Sequence, residues 1–291
     1  INEASNNRIA FTQKEPIGIV LAISAFNHPF NLIIHQIIPA IASGCVVIVK
    51  PAEDTPLSCI KIVEMLLESG LPEDRCYFCM PENLKLAEKL VSDERIDFLS
   101  FIGSAKIGWM LRSKLSPGTR CALEHGGMAP TFLTETTNLD IASKLLIKGG
   151  FYHAGQVCVS VQRVFVQKKI FDDFLSIFEK NLKPLKIGNP LDKNTEVGPL
   201  IRPSEVDRVQ EWVNESITEG TSVLCGGNKI SETCYDKTVL INPKFSDKVS
   251  RMEIFGPVVN VYSYDNLDKA IEIANDTNVS FQASIFSNDI D

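Results

Sequence analysis

Two short stretches of this chain set reactive side chains beside flexible backbone. They are Leu123-Glu124-His125-Gly126-Gly127 and, a few dozen residues later, Gly155-Gln156-Val157-Cys158. A cysteine in a glutamine-flanked loop is a candidate nucleophile once it is a thiolate. A glutamate closed by two glycines reads as a general base on a tight turn. Paired, they suggest covalent catalysis through a thioester that water later releases. Cys158 alone would not carry this reading, because most buried cysteines are inert packing.

Other reactive residues point elsewhere less well. Cys76-Tyr77-Phe78-Cys79 has the spacing of a redox or zinc pair, but no second pair follows at zinc spacing. Buried strand cysteines are therefore the expectation there. His28, His35, His125 and His153 lack the spacing of metal ligands, so no metal is expected. Cys158 with His153 would suit a cysteine hydrolase. That alternative leaves the whole first half of the chain unexplained.

The first half is patterned to position ligands. Ile17–Ile23 is a continuous apolar run rich in β-branched residues, as in a strand buried on both faces. Phe30–Ser43 has helical spacing at Ile33, Ile34, Ile37, Ile38 and Ile41, with Pro39 expected to kink it and Gly44 to stop it. Cys45–Val49 reads as a second buried strand. Thr55-Pro56 reads as an N-cap followed by Pro at the first helical position, and Gly70 ends that helix. Cys76–Met80 and Phe98–Ile102 read as further strands, each followed by a helix, at 83–91 and 104–115. Repeated βαβ units imply a parallel sheet with helices on both faces.

Beyond Gly126-Gly127 the pattern changes. Helices are expected near Ile141–Gly149 and at Ile170–Leu182, Ser204–Glu219 and Leu267–Ala274, with a strand at Val161–Val166 and more strands toward the end. This reads as a second α/β domain. No internal repeat or low-complexity tract is visible.

Ligands of an open parallel sheet bind at the carboxyl ends of its strands. Three loops stand there: Ser24–Pro29, Lys50–Glu53 and Gly103–Gly108. The last opens a helix whose N–H groups and dipole could hold a phosphate, although a lone G-x-x-x-x-G is a weak signal. Lys50 and Glu53 could grip ribose hydroxyls.

Composition narrows the partners. The chain has 291 residues, 44% of them hydrophobic, enough for one large domain or two ordinary ones. A formal net charge of -7 argues against nucleic acid or anionic membrane as a partner. No charge occurs between Pro16 and Val49, but Asn27, His28, Asn31, His35 and Gln36 interrupt that stretch. No run there reaches the ~20 apolar residues that span a bilayer. The eight cysteines are scattered through apolar segments, as expected of free thiols in a reducing, cytoplasmic setting.

Taken together, these residues resemble the aldehyde dehydrogenase superfamily. The resemblance runs in order through Phe26-Asn27-His28-Pro29-Phe30, Lys50-Pro51-Ala52-Glu53, Phe101-Ile102-Gly103-Ser104, Leu123–Gly127, Gly155–Cys158 and Glu253-Ile254-Phe255-Gly256-Pro257. Asn31, Leu32, His35 and Pro39 look most like the lactaldehyde, phosphonoacetaldehyde and non-phosphorylating glyceraldehyde-phosphate branches. The resemblance implies a Rossmann-type cofactor domain at 16–126 and an α/β catalytic domain at 127–291, incomplete at its end. Residues 1–15 would be the remnant of an oligomerisation arm, and the full-length form a homodimer or homotetramer.

It further implies that Cys158 attacks an aldehyde, that Asn27 and the Cys158 N–H hold the oxyanion, and that Glu124 activates the deacylating water. Glu253 would hold the nicotinamide ribose and Phe255 pack near the ring. Lys50 and Glu53 would take the adenosine ribose, and Gly103 and Ser104 the pyrophosphate. Glu53 tilts the cofactor toward NAD, with NADP left open.

The sequence departs from the pattern at four positions. Phe26 stands for a common Trp, Gln36 for a usual Lys, His125 for a usual Leu and Met128 for a usual Lys. The exchange at Gln36 puts a proton relay through that position in doubt. Val157 before the cysteine, where the phosphate-specific branch places Arg, leans the substrate toward short aliphatic or hydroxy-aldehydes. The rivals are a CoA-acylating relative, against which Glu124 argues, and a non-catalytic fragment with a binding or structural role.

Overall fold

A computed structural model describes residues 7–279 and 281–289. The chain divides into two compact units, 1–124 and 125–291.

In the first unit, strands β1 (Ile19–Ile23), β2 (Val46–Lys50), β3 (Cys76–Phe78), β4 (Phe98–Gly103) and β5 (Arg120–His125) form a sheet in the order β3-β2-β1-β4-β5. The pairs β1–β2, β1–β4 and β2–β3 are parallel. Helices α1 (Pro29–Ala42), α2 (Pro56–Glu68), α3 (Leu84–Val91) and α4 (Ala105–Arg112) make the crossovers.

The central strand explains its own sequence. Val20 and Ala22 pack with Ile33, Ile37 and Ile62 on one face, and Leu21 and Ile23 with Val91, Leu99 and Leu111 on the other. With both faces covered, polar alternation has no place in β1. The strand starts two residues later than the apolar run suggests, where Ile19 N–H donates to the Asp97 carboxylate at 2.8 Å. Helix α1 runs unbroken through Pro39. Cys76 is buried on β3 and Cys79 half-buried just beyond it. Residues 8–17 carry no regular structure and are largely exposed; the rest of the N-terminal segment, 1–6, lies outside the described residues.

The second unit holds a mixed sheet in the order β11-β6-β7-β10-β9-β8. Its strands are β6 (Pro130–Leu133), β7 (Arg163–Gln167), β8 (Ser222–Cys225), β9 (Thr238–Ile241), β10 (Val258–Tyr264) and β11 (Ser284–Phe286). Pairing is parallel except between β8 and β9. Helices α5 (Leu139–Phe151), α6 (Phe171–Leu182), α7 (Pro203–Thr218), the single turn α8 (Lys248–Arg251) and α9 (Leu267–Asn275) complete it. Its core joins Phe174, Phe178, Val206, Val209 and Val213 to Val164, Val259 and Val261 of the sheet.

Candidate active site

In the first unit the residues singled out from sequence cluster at the carboxyl ends of parallel strands. The strand order reverses between β1 and β4, which is where such sheets open a crevice for ligands. Asn27, half-buried, lies in the loop from β1 to α1, and Gly103-Ser104 joins β4 to α4. Ser104 is the N-cap of α4, its side chain accepting from Ile107 N–H at 3.4 Å. Lys50 ends β2, directly beside Ile23 in the register. Its buried ammonium donates to Pro51 O at 3.1 Å and pairs with Glu53 at 3.2 Å.

Sequence reasoning missed two hydroxyls here. The side-chain oxygens of Ser24, after β1, and Thr55, at the start of α2, are buried without a hydrogen-bond partner among the described residues. Leaving a buried hydroxyl unpaired costs on the order of 1–3 kcal/mol. Unpaired hydroxyls on the loops that carry Asn27 and Lys50 fit a polar ligand. Gln36 reaches back from α1, its amide donating to Ile23 O at 3.1 Å and to Ser100 O at 3.0 Å. It therefore ties β1 to β4 just beneath this crevice.

Glu124 does not sit on a tight turn, as its neighbouring glycines suggest. It is an exposed residue near the end of β5, and left-handed backbone comes only afterwards, at Gly126 with φ +71°.

In the second unit the backbone of the candidate nucleophile is strained. His153, Ala154 and Gly155, just before Cys158, have φ of 50°, 56° and 72°. Only glycine adopts that region freely; each other residue costs roughly 1–3 kcal/mol, and such outliers concentrate at functional sites. Phe255 is a third such residue, at φ 49°. The turn Val157–Ser160 is then closed by Ser160 N–H donating to Val157 O at 2.9 Å, with Cys158 half-buried inside it.

Three motifs meet around this turn. A Cβ on Gly127 would lie 2.0 Å from Cys158 O, and one on Gly155 would lie 2.0 Å from Gly256 O. Only glycine lets these backbones approach so closely. Glu253 closes the group, accepting from Gly127 N–H at 2.9 Å. Burial pushes its carboxyl up to about 7, against the pull of the Gly127 N–H and of Arg208. Gly127, Gly155, Val157, Glu253 and Phe255 line one small cleft.

Buried amides hold these loops. Gln156 donates to His153 O at 3.1 Å and Pro199 O at 3.3 Å, and accepts from Ile201 N–H at 2.9 Å. Gln162 and Arg163 were not expected as site-forming residues. Gln162 binds the segment around Glu253, and Arg163 donates twice to Met128 O, at 3.1 and 3.0 Å. Their one signal in the sequence is a polar pair inside the otherwise apolar run Val161–Val166. Among the described residues, no group of three or more His, Cys, Asp or Glu side chains could hold a metal ion. No helix among them is long and apolar enough to cross a membrane.

A profile of the aldehyde dehydrogenase family matches residues 1–291. The chain belongs to the aldehyde dehydrogenase family. It is 38% identical over 286 residues to a 3-sulfolactaldehyde dehydrogenase of Priestia megaterium, covering 98% of this chain and 60% of that protein. It is 38% identical over 290 residues to a lactaldehyde dehydrogenase of Methanococcus vannielii, with 98% and 62% covered. The chain thus spans about three fifths of the length of these relatives. Among solved structures, it matches a glyceraldehyde-3-phosphate dehydrogenase of Methanocaldococcus jannaschii complexed with NADP at TM-score 0.90 and 35% identity, over 96% of this chain and 61% of that one. An NAD-dependent aldehyde dehydrogenase from Sinorhizobium meliloti matches at TM-score 0.90 and 30% identity, over 95% and 56%.

Proposed function

We propose that this chain carries the catalytic residues of an NAD(P)-dependent aldehyde dehydrogenase that releases a carboxylate. The observation that carries the reading is the left-handed backbone at His153 and Ala154 leading into Cys158, with Gly127 and Glu253 packed beside it. Strain of that kind persists only where the surroundings over-determine it.

The Cys158 thiolate adds to the aldehyde carbon and forms a thiohemiacetal, its oxyanion held by the Asn27 amide and the Cys158 N–H. An oxidised nicotinamide dinucleotide, when bound, would supply the hydride acceptor; loss of hydride from that carbon leaves a thioester on Cys158. Glu124 takes a proton from water; the hydroxide adds to the thioester, and the carbon–sulfur bond breaks to give carboxylate and thiolate. Lys50 and Glu53 would hold the adenosine ribose, Gly103 and Ser104 the pyrophosphate, and Glu253 and Phe255 the nicotinamide end. The unpaired hydroxyls of Ser24 and Thr55 support a polar ligand on the first unit.

The substrate is a short hydroxy-aldehyde. The names of the two relatives and the apolar Val157 and Val159 around the nucleophile support that choice. NADH or NADPH production with a panel of aldehydes tests the reading. Turnover without CoA is expected, greatest with lactaldehyde-like substrates. A strict requirement for CoA would replace hydrolysis by acyl transfer. No turnover, together with no protection of Cys158 from iodoacetamide by either dinucleotide, would leave a non-catalytic role.

A further inference from the structure

Gln162 lies four residues beyond Cys158 and is 5% exposed. Its amide nitrogen donates to Val249 O at 3.0 Å and Met252 O at 2.8 Å, and its amide oxygen accepts from Ile254 N–H at 2.8 Å. Both amide hydrogens are used, and the two residues flanking Glu253 are gripped from one side chain. Glu253 in turn accepts from Gly127 N–H at 2.9 Å, and Gly127 packs on the Cys158 carbonyl. A chain of contacts therefore runs from the nucleophile turn through Gly127 to Glu253, and back through Gln162 to the strand that follows the turn.

We infer that Gln162 is a positioning residue for Glu253: it fixes that carboxylate relative to the Cys158 turn and so sets how tightly the dinucleotide is held. The inference rests on the proposed role of Glu253 at the nicotinamide ribose. Gln162 lines the same small cleft, but its amide is committed to backbone groups of the segment that carries Glu253. A flexible loop would present the carboxylate in many positions, and ordering it on binding would cost affinity. Three hydrogen bonds from one buried amide remove that freedom beforehand.

A neighbouring side chain provides the control. Asn260 is also fully buried, and it donates to the same Val249 O, at 2.6 Å. It does not reach Met252 or Ile254. A purely structural need for polar contacts at Val249 would make the two side chains equivalent, whereas positioning of Glu253 makes only Gln162 matter.

The test is calorimetric titration of NAD into the full chain carrying Gln162→Met, Asn260→Ala, Glu253→Ala or the double change Gln162→Met with Glu253→Ala. Gln162→Met should weaken NAD binding by about tenfold, equivalent to about 1.4 kcal/mol, and Asn260→Ala by no more than about twofold on the same scale. The double variant should bind no more weakly than Glu253→Ala alone, because Gln162 acts only through that carboxylate. Equal losses in Gln162→Met and Asn260→Ala, or additive losses in the double variant, would overturn the inference.

Should Gln162→Met fail to fold, Gln162→Glu keeps the shape and the bond from Ile254 N–H while losing donors to the two carbonyls, and the same comparison applies. Hydrogen exchange separates this inference from the ribose assignment. Gln162→Met should speed exchange at Gly127 and at 252–254, and Asn260→Ala should not. Faster exchange there with no change in NAD affinity in Glu253→Ala would sink the ribose role and leave the positioning intact. Unchanged exchange would sink the positioning itself.

Discussion

The two units hold their polar residues by different means. In the first, Asn27, Lys50, Glu53 and Ser104 follow from where strands end; Glu53 and Ser104 are exposed, Asn27 is half-buried and Lys50 is buried. In the second, the Cys158 turn is held by buried Gln156, Gln162 and Arg163, all bonded to backbone groups distant in sequence. The first unit therefore presents a ligand surface that topology supplies almost unaided. The second must keep an unfavourable backbone conformation in place, which takes several mutually supporting contacts. Substitutions of Asn27, Glu53, Ser104 or Glu124 in the first unit should alter binding, selectivity or rate at little cost in stability. Substitutions in the second should alter chemistry, stability or both.

The largest effect is expected at the nucleophile. Cys158→Ala should abolish aldehyde oxidation while NAD titrates nearly as before, because the residues proposed to hold the cofactor are others. Substantial turnover would break the assignment. Glu124→Gln should follow, giving a burst of NADH and then a stall, with the acyl group found on Cys158 by mass spectrometry. Steady turnover at the unmodified rate would remove Glu124 from deacylation. In the first unit, Asn27→Ala should lower kcat by roughly 10²–10³-fold, the scale for one oxyanion donor. A change confined to KM would make Asn27 a substrate-binding residue instead.

What the sequence made legible divides along the same line. None of the residues at Ile19–Ile23, Val46–Lys50 and Phe98–Gly103 is exposed, so their hydrophobicity announces them and the loops after them. Strand β5 was harder to see, since Arg120, Glu124 and His125 lie within a strand whose alternate residues are exposed. Its ending at His125 moves Glu124 off the turn that Gly126-Gly127 suggested. Gln162 is visible as a polar residue in an apolar run, but its partners at Val249–Ile254 lie far along the chain. Nothing local distinguishes a glutamine that will bind distant carbonyls from one that faces water. Left-handed backbone at His153 and Ala154 is nearly as silent: histidine is enriched there among non-glycine residues but mostly adopts other conformations, and alanine is not enriched.

Glu253 gives the second unit a pH dependence that the first should lack. Its folded-state carboxyl titrates at about 7, well above its ordinary value of 4.5, because it is buried. The folded state thus binds the proton more tightly than the unfolded chain does. That contribution is full below about 4.5 and is lost as pH rises through about 7. Between about pH 5 and about pH 8, the unmodified chain should lose up to about 3 kcal/mol relative to Glu253→Gln, and less where water screens the half-buried carboxyl. Denaturant unfolding of both proteins at the two pH values checks it. Parallel stability profiles would show that Glu253 is ionised in the folded protein throughout.

The smallest stability effect should come from Glu53, and it sharpens the contrast most. Its side chain is 62% exposed, while that of its partner Lys50 is 10% exposed. An exposed carboxylate in an ion pair contributes less than about 1 kcal/mol, so Glu53→Gln should unfold at nearly the same denaturant concentration as the unmodified chain. Lys50 stays buried and keeps its bond to Pro51 O. On the proposed ribose assignment, removing the negative charge removes its repulsion of a 2′-phosphate, so the ratio of NAD to NADP affinity should fall, by about fivefold if roughly 1 kcal/mol of repulsion is lost. Paired titrations with the two dinucleotides measure this. A large loss of stability would place Glu53 among the structural residues and erase the distinction between the units. Tighter binding of NADP than NAD by the unmodified chain would mean that the Lys50 ammonium, not the Glu53 carboxylate, governs the ribose site.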